Sequence, residues 1–394
     1  MNANSTLPAL PSRVLRRSDA ATLMRVLEDQ QARKLDVVVP GYQVYSRNGC
    51  LSLTGLTDPA ITEDGVYDLN GAYTFTDSAV ADLATDHDIP LPYLRRCRTT
   101  NIRAFDHTIN DWTRYDEDRN VLIRLLWGSD RAHPGTNGIV RAVLSDAYGV
   151  RDNLDMATAF LAGLRAAGVD STQIVEADLT DNNLYMRVAA PQIAIRAPEL
   201  LRDYRSPFTG QPGSECPIVF AGVVFCNSET GHGRTRVSPQ IRIKVCDNGM
   251  TLTRQALTQV HRGARLAPGT VRWRRDTCEA DDRAFTLKIR DAVAAFLTPE
   301  FLQDRVDEIT EAATTKLTAP ETTLTVVSTK LRFTKEERTG IWSHFLAAGD
   351  RSAGGIMHAV TSFAQVVGDR GDVERSHELT ALGLDALNLA AAHA

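Results

Sequence analysis

Four strand-type runs lie close together in the middle of the chain, and they constrain its fold more than any other feature. They fall between residues 183 and 254 and read NLYMRVAA, QIAIRA, CPIVFAGVVFCNSE and SPQIRIKVCDNGMTLTR. Valine, isoleucine and aromatic residues recur in them, and such residues favour the half-buried surface of a pleated sheet. The centre of the chain is therefore predicted to form an antiparallel sheet.

The last of these runs alternates in character, as a strand with two different faces does. Successive strand side chains point to opposite faces, which separates Ile241 and Ile243 from Arg242 and Lys244. The dipeptide Asn248-Gly249 favours the left-handed backbone of a two-residue hairpin turn. We expect a β-hairpin here, with an apolar inner face and a basic outer face.

Segments before residue 183 predict a mixture of strands and helices. The stretch YQVYSRNGCLSLTG predicts two strands around Asn48-Gly49, a second hairpin dipeptide. The run NVLIRLLWGSD is apolar enough for a buried strand or a short helix, and periodicity does not separate the two. The helices expected in this part are one around Asp19–Lys34, one after a cap at Asp77 or Ser78, and one that places Met156, Phe160, Leu161 and Leu164 on one face.

Helical patterns dominate after Arg283, apart from one strand candidate, ETTLTVVSTKLRF. The residues Thr334 to Glu337 form a capping-box pattern ahead of the last helical stretch. The predicted fold class is α+β, with a central antiparallel sheet, β-hairpins and flanking helices, and a helical C-terminal region. We divide the chain into a lead-in with a helix (1–40), an α+β core carrying the basic hairpin face (41–320) and a mostly helical C-terminal region (321–394).

Charge is distributed unevenly along the chain. The 394 residues carry a formal net charge of −5, yet ten basic residues lie between Arg234 and Arg275 and only Asp247 opposes them, a local charge of +9. One interpretation is a solvated face paired with acids elsewhere in the fold. The other is a phosphate-binding surface, because arginine forks bind phosphate oxygens in pairs and release counterions from nucleic acid.

The second interpretation predicts a nucleic-acid-binding surface built from this basic window and a smaller basic cluster before it. Trp273 is the one aromatic residue in the window; it would either stack on unpaired bases or anchor its strand to the core. The predicted nucleic-acid-binding residues are Arg234, Arg236, Arg242, Lys244, Arg254, Arg262, Arg265, Arg272, Trp273, Arg274 and Arg275, with Arg95, Arg96 and Arg98 of the smaller cluster.

The chain contains no recognisable catalytic motif: it lacks GxxxxGK[ST], GxGxxG, HExxH, paired CxxC and GxSxG. We therefore expect no cofactor and no resident metal. The acids Asp276, Glu279, Asp281 and Asp282 are typical of a solvated helix start, or they would hold Mg²⁺ in a nuclease-like enzyme. The N-terminal segment lacks the apolar core of a signal peptide, and no apolar run approaches 18 residues, so we expect a cytoplasmic protein without membrane contact.

Several stretches resemble a family of phage, prophage and plasmid proteins of unknown function that includes the YafZ/YfjQ-like proteins. The likeness covers roughly residues 65–390, and its most specific parts are AVLSDAYGVRDN and NSETG followed by RIKVCDNGM. Members show a Leu-Ser-Asp-x-Tyr box and an Asn-Ser-x-x-Gly box followed by Cys-x-Asn-Gly. The matching positions are Leu144, Ser145, Asp146 and Tyr148, then Asn227, Ser228 and Gly231, and finally Cys246, Asn248 and Gly249.

The resemblance implies a mobile-element setting without a particular activity. For the polar box residues, turn and cap chemistry is the first interpretation, and phosphate or sugar contacts by Ser145 and Tyr148 are the second. In charge and layout the chain is also similar to single-strand annealing recombinases of the RecT and Red-beta sort. The predicted function is single-stranded DNA binding or annealing, as an oligomer, in a bacterial host. The alternatives are a metal-dependent DNA-processing enzyme and a protein-interaction module.

Overall fold

Two large sheets organise the described chain. The computed structural model describes residues 15–62, 65–116, 119–169, 174–244, 249–251, 256–259, 269–270 and 275–394. In chain order its strands are β1 (Leu15–Ser18), β2 (Lys34–Pro40), β3 (Tyr45–Arg47), β4 (Cys50–Leu53), β5 (Ala60–Thr62), β6 (Gly65–Tyr67), β7 (Gly71–Phe75), β8 (Asn120–Trp127), β9 (Gly138–Ser145), β10 (Ile174–Leu179), β11 (Leu184–Arg196), β12 (Ile218–Asn227), β13 (Thr235–Ile243), β14 (Gly249–Thr251), β15 (Leu257–Gln259) and β16 (Gly269–Thr270).

Helices precede, separate and follow these strands. In chain order they are α1 (Ala20–Ala32), α2 (Asp77–Asp86), α3 (Leu91–Thr100), α4 (Ile102–Thr113), α5 (Asn153–Ala166), α6 (Pro198–Leu201), α7 (Arg275–Phe296), α8 (Pro299–Ala313), α9 (Pro320–Lys330), α10 (Lys335–Ala348), α11 (Ala353–Asp369) and α12 (Val373–Ala392). The α+β class and the helical C-terminal region are thus confirmed.

Sheet A contains the four strand-type runs from the centre of the sequence. Its order is β1-β10-β11-β12-β13-β14, with β15 also pairing with β13, and every pairing is antiparallel. The first two runs, predicted as separate strands, form the single strand β11, whose register with β12 shifts between Ala190 and Ala194. The predicted central antiparallel sheet is therefore present.

Sheet B is a second seven-stranded sheet, which the sequence did not reveal. Its order is β16-β2-β8-β9-β7-β4-β3, and all its pairings are antiparallel except β7 with β9. The undecided run NVLIRLLWGSD supplies its strand β8. Strand β2, at the end of the predicted lead-in, pairs along its whole length with β8. The strands β5 and β6 form a separate two-stranded sheet.

The two hairpin dipeptides behave differently. Asn48 and Gly49 have φ values of 53° and 76° and join β3 to β4, as a type I′ turn requires. Gly249 instead lies in β14 opposite Arg242, so the prediction that it occupies a two-residue turn is wrong. Its neighbour Asn248 lies outside the described residues.

Most predicted helices are confirmed, and their ends follow capping chemistry. The Asp19 side chain accepts from Thr22 N at the start of α1, and Thr76, one residue before the predicted cap, accepts from Ala79 N at the start of α2. The capping box at Thr334 and Glu337 is present in α10. The Met156, Phe160 and Leu164 side chains of α5 are buried as expected.

The strand predicted in ETTLTVVSTKLRF is wrong, because this segment forms helix α9. Pro320 occupies the first turn, where a missing N–H costs no hydrogen bond. Leu324 and Val327 are buried against helices α10 and α12. Burial at helical spacing has overridden the strand preference of threonine and valine.

Three apolar cores hold these layers together. Helices α2, α3 and α4 pack on sheet B around Tyr73, Phe75 and Phe105. Helices α1, α5 and α7 pack on one face of sheet A, where Phe160 and Phe225 stack. The helices from α8 to α12 form the third core with one end of sheet A.

Candidate nucleic-acid interface

The predicted basic strand carries its exposed charges at its ends. Arg234 and Lys244 flank β13 and are exposed, whereas Arg236 within it is half-buried. Nine strand residues separate the two exposed charges, a span of about 30 Å at the usual rise per residue. The strand therefore presents separate positive charges, not a continuous basic face.

Arg242 is buried, and the prediction that it faces solvent is wrong. Its exposed fraction is 5%. It lies on the opposite face from Ile241 and Ile243, as strand alternation requires, but helices cover that face as well. Arg242 shares a cavity with Thr361 of α11 and His377 of α12.

The smaller basic cluster also contains both exposed and buried arginines. Arg95 and Arg96 of α3 are exposed, and the Arg95 Nε atom lies 3.1 Å from Asp77 Oδ1. Arg98 is 2% exposed and donates a hydrogen bond to the backbone oxygen of Phe75. Burial lowers the pKa of its guanidinium. Arg98 is thus a core residue that does not present its charge at the surface.

Much of the basic window lies outside the described residues. This applies to Arg254, Arg262, Arg265, Arg272, Trp273 and Arg274, and to the side chain of Arg275 at the start of α7. The acids Asp276, Glu279, Asp281 and Asp282 lie in α7, with their side chains outside the description. Within the residues described, no group of three or more His, Cys, Asp or Glu side chains is placed to hold a metal ion.

A buried charged cluster joins sheet B to the end of β12, and we call it the inter-sheet junction. Arg124 of β8, 1% exposed, donates from Nε and Nη2 to the two carboxylate oxygens of Asp36, at 2.9 and 3.0 Å. It also pairs with Asp152 and donates from Nη1 to the Glu229 backbone oxygen at 2.7 Å. One guanidinium thus ties together three separate segments.

The charges of the inter-sheet junction stabilise one another. Burial alone would lower the pKa of Arg124, but Asp36, Asp152 and Glu229 raise it well above its ordinary value. Burial would raise the pKa of Asp152, but Arg124 and Lys34 hold that pKa well below its usual range. Arg124 and Asp152 therefore stay ionised at neutral pH.

The two most specific boxes of the family resemblance meet beside this junction. Tyr148 Oη donates to the backbone oxygen of Ser228 at 2.8 Å, and Ser228 Oγ donates to the Asn182 backbone oxygen at 2.7 Å. A Cβ atom at Gly231 would lie 2.6 Å from Leu144 Cδ2, at a backbone φ of +84°. Only glycine fits this approach.

Asn227 has a comparable structural role at the start of α5. Its Nδ2 atom donates to Asn153 Oδ1 at 2.8 Å, and its Oδ1 atom accepts from Thr235 Oγ1 at 2.6 Å. The Glu229 carboxylate accepts from Asn153 N at 2.8 Å, where a helix N-terminus favours negative charge. The Asn227 and Ser228 side chains thus make structural contacts between segments of the fold, and Asn248 lies outside the described residues.

An exposed groove lies elsewhere, between the edge strand β3 and helix α4. Its volume is about 500 Å³, and we call it the tyrosine groove. Tyr42 precedes β3 in a 3₁₀ turn, Tyr45 begins the strand, and both are about half exposed, at 49% and 51%. The groove is lined by Tyr42, Tyr45, Asn110, Thr113 and Arg114.

Side chains of α4 fix the geometry of the tyrosine groove. Asn110 Nδ2 donates to Ser46 O at 2.8 Å, and Asn110 Oδ1 accepts from Ser46 N at 2.7 Å. The amide therefore pairs with the strand edge as a neighbouring strand would. Because strand side chains alternate, this inward contact at Ser46 leaves Tyr45 and Arg47 pointing outward.

Tyr45 also borders a wider depression of about 730 Å³. Its walls include Val37–Pro40 of β2 and the segment Ser52–Leu56. The strand β16, near the C-terminal end of the basic window, pairs with Val37 and Val38. The fold thus brings one part of the predicted basic window to the rim of an exposed aromatic site.

Sequence reasoning missed the tyrosine groove because it searched for aromatic residues only inside the basic window. A signal was present in the first hairpin, where Tyr45 and Arg47 alternate with Ser46 before the Asn48-Gly49 turn. Alternation placed both on one face, but the sequence did not show which face helix α4 would cover.

Comparison with protein families, with curated proteins and with solved structures finds no match to this chain. The fold and the groove define an α+β protein with two seven-stranded sheets and an exposed aromatic site at a sheet edge. Among the described helices, none combines the length and apolar character needed to cross a membrane. The resemblance to the phage and plasmid family stays a prediction.

Proposed function

We propose that the protein binds single-stranded nucleic acid, DNA in particular, and anneals or protects strands during replication or recombination of a phage or mobile element. The tyrosine groove is the observation that carries this proposal. Tyr42 and Tyr45 offer partly exposed rings, and Arg114 lies beside them in the groove. Unpaired bases of any sequence stack on such rings, while guanidinium groups bind phosphates.

The distribution of charge supports a localised contact with a polyanion. The chain is acidic overall, and the basic window is its exception. Strand β16 of that window pairs with β2 at the depression that Tyr45 borders. A strand of nucleic acid held in the groove would thus lie near β16, a described strand of the basic window, and binding should weaken as salt rises.

The direct test is fluorescence anisotropy with labelled single- and double-stranded oligonucleotides across a salt series. Tighter binding to single strands is expected, because stacking needs bases that are not already paired. Tyr45→Ala should weaken that binding by about 5- to 150-fold, since aromatic stacking contributes about 1–3 kcal/mol per base. An absence of binding even at low salt would exclude the proposal.

Tyr93 supplies the matched control. Its ring is 51% exposed, as that of Tyr45 is, but it lies on α3 and does not line the groove. Tyr93→Ala should leave the affinity unchanged within about twofold. If both alanine variants weaken binding equally, the groove is not the binding site.

Substitutions at Lys244 and Arg242 distinguish an exposed charge that contacts phosphate from a buried residue that stabilises the fold. Lys244→Ala removes an exposed charge, and it should reduce the salt dependence by about 0.7 log unit per log salt if Lys244 contacts a phosphate. Arg242→Met changes a buried residue, so it should lower stability without changing that slope for an oligonucleotide that lacks a terminal phosphate. Salt titrations and urea unfolding of both variants measure the two effects.

A protein-interaction module is the second candidate. Tyrosine and arginine are also enriched where proteins bind one another, and the groove presents both. A tight protein partner for a chain that binds no oligonucleotide would favour this role. The expected homo-oligomer belongs to the same proposal, and its test is the mass in solution measured by light scattering.

A further inference from the structure

A polar cavity separates sheet A from helices α11 and α12, and it shares no lining residue with the tyrosine groove. Its volume is about 100 Å³. Four arginines line it, two from β1, one from β11 and one from β13, and two carboxylates of β10 face them. We call it the arginine cavity, and these six residues are Arg16, Arg17, Arg187, Arg242, Glu176 and Asp178.

Positive charge exceeds negative charge around the arginine cavity. Four guanidiniums meet two lining carboxylates, and a third carboxylate, Asp369, pairs with Arg17 at 2.7 Å. Burial is the main reason why the pKa of His377 is lowered, so its imidazole adds no positive charge at neutral pH. Among the lining residues, four guanidiniums against two carboxylates favour an anion in the space between them.

Asp178 contacts two of the four arginines, Arg17 through its backbone and Arg187 through its guanidinium. Its Oδ1 atom accepts from Arg17 N at 2.9 Å, and its Oδ2 atom accepts from Arg187 Nη2 at 2.8 Å and lies 3.2 Å from His377 Nε2. The φ of Arg17 is +44°, a left-handed conformation that is unfavourable for this residue. The surrounding contacts thus fix a strained backbone that directs Arg17 toward the cavity.

Arg187 retains hydrogen-bonding capacity after these contacts. Both Glu176 and Asp178 bind its Nη2 atom, and its Nη1 atom lies 3.5 Å from His377 Nε2, an atom already engaged with Asp178. Within the described chain its buried Nε atom has no acceptor. Less than 1 Å² of that Nε atom is accessible, so Nη1, with its single 3.5 Å contact, is the Arg187 donor that an anion oxygen in the cavity would satisfy.

The size and opening of the cavity limit what it can hold. At about 10–15 Å³ per water-sized probe, the space of about 100 Å³ accommodates roughly seven to ten such probes. A phosphate group has five heavy atoms and fits, whereas a nucleoside does not. The Arg17 side chain is 54% exposed, so the cavity opens to solvent beside β1 while Arg242 lies at its buried end.

We propose that the arginine cavity binds a dianionic phosphate group, either of inorganic phosphate or at the end of a nucleotide chain. Arginine forks bind phosphate oxygens through paired hydrogen bonds, and Glu176 and Asp178 pre-position them. This site is separate from the tyrosine groove. The proposal that it binds phosphate therefore does not depend on the proposed strand binding.

Isothermal titration of the full chain with sodium phosphate, at constant ionic strength set by chloride, tests the proposal. Saturable binding of one phosphate per chain is expected. Gln365→Glu places a carboxylate in the cavity lining without removing an arginine pair, and should weaken phosphate binding at least about tenfold through like-charge repulsion. Urea unfolding checks that the variant is folded. Gln211→Glu, in an exposed loop outside the cavity, is the matched control.

Phosphate binding that Gln365→Glu weakens and Gln211→Glu does not would support the site. The absence of saturable binding, or equal binding to all three proteins, would overturn it. Oligonucleotides with and without a 5′-phosphate then show whether the bound phosphate is inorganic or belongs to the end of a nucleotide chain. A preference for the phosphorylated strand that Gln365→Glu abolishes assigns the cavity to strand ends, and equal affinity assigns it to free phosphate.

Discussion

Arg124 is the residue on which the inter-sheet junction depends. Its guanidinium binds Asp36 and Asp152 and the Glu229 backbone oxygen, with 1% of its surface exposed. Arg124→Met should lower the free energy of unfolding by about 3–5 kcal/mol, because it leaves two buried carboxylates without their shared partner. Urea unfolding monitored by circular dichroism measures the change.

Arg202 is the matched control for Arg124. Its side chain is 60% exposed and lies 3.9 Å from Glu199, a contact of little energetic weight at the surface. Arg202→Met should change stability by less than about 0.5 kcal/mol. If the two substitutions cost the same, the buried network does not stabilise the junction.

His232 should titrate above the ordinary histidine range. Burial lowers its pKa, but the hydrogen bond and charge of Asp82, whose Oδ1 atom lies 3.2 Å from His232 Nε2, raise it by more. The pair therefore contributes stability that is fully present below about pH 6.5 and is lost as pH rises through the raised pKa.

NMR titration of the histidine ring protons measures this pKa. Asp82→Asn should lower it, since the amide keeps a polar group at the site but removes the charge. Asp111→Asn, beside the exposed His107, serves as the control and should leave His232 unchanged. A His232 pKa that does not respond to Asp82→Asn would contradict the assignment.

Residue-scale errors in the sequence analysis share one physical cause. Alternation correctly placed Arg242 opposite Ile241 and Ile243, but a sheet covered by helices on both faces buries either set. The nucleic-acid contact predicted for Arg98 is wrong for the same reason, because its helix buries the side chain. Local pattern assigns a side chain to a face, and only the tertiary fold decides whether that face meets solvent.

At the scale of elements, the capping box of α10 offers the clearest test. Thr334 Oγ1 accepts from Glu337 N at 3.2 Å, and Glu337 Oε2 accepts from Thr334 N at 2.7 Å. Thr334→Ala should cost about 1 kcal/mol of stability, because the side-chain oxygen that accepts from Glu337 N at the start of the helix is lost. Thermal unfolding of this variant measures the effect.

Thr325 provides the comparison within a helix. It is exposed in the middle of α9, where its hydroxyl donates to the Glu321 backbone oxygen at 2.9 Å. Thr325→Ala should be neutral or slightly stabilising, since alanine has the higher helix propensity. Equal losses at both threonines would mean that the cap has no special role.

Element prediction succeeded where local chemistry decides the conformation. Asn48-Gly49 adopts the left-handed turn that its residue types favour, and Asp19 caps α1. It failed for α9, where packing against neighbouring helices outweighs the β-branched composition. It also missed sheet B, whose seven strands come from segments as far apart in sequence as β2 and β16.

At the scale of the whole molecule, the N-terminal segment belongs to both sheets. Strand β1 pairs with β10 in sheet A, and β2 pairs with β8 and β16 in sheet B. The described part of the lead-in predicted for residues 1–40 therefore contributes an edge strand to sheet A and an interior strand to sheet B. Pairings over such distances leave no local signature, so the sequence alone could not place them.

The same long-range pairing determines where the candidate sites lie. The tyrosine groove depends on α4 packing against β3, and the arginine cavity depends on β1 meeting β10 below helix α12. Each site combines residues from segments that only the tertiary fold brings together. Composition identified arginine as the important residue type, but it did not identify which arginines share a site.

Hydrogen exchange should show that stability differs strongly across the fold. Helix α11 is buried continuously from Ala353 to Ala364, between sheet A and the helices around it. The β5–β6 hairpin pairs only with itself, and its Ile61 and Val66 side chains are exposed. Amides of α11 should exchange only on global unfolding, whereas those of the hairpin should exchange through local opening.

Mass spectrometry of peptides after timed exchange into D₂O measures this difference. Peptides from α11 should be the last to exchange, and low urea should accelerate them more than it accelerates the hairpin, because global unfolding exposes more surface. Arg124→Met provides an internal check, since a lower global stability should speed exchange in α11 and leave the hairpin unchanged. If α11 exchanges as fast as β5 and β6, the helix is not the central element that its burial indicates.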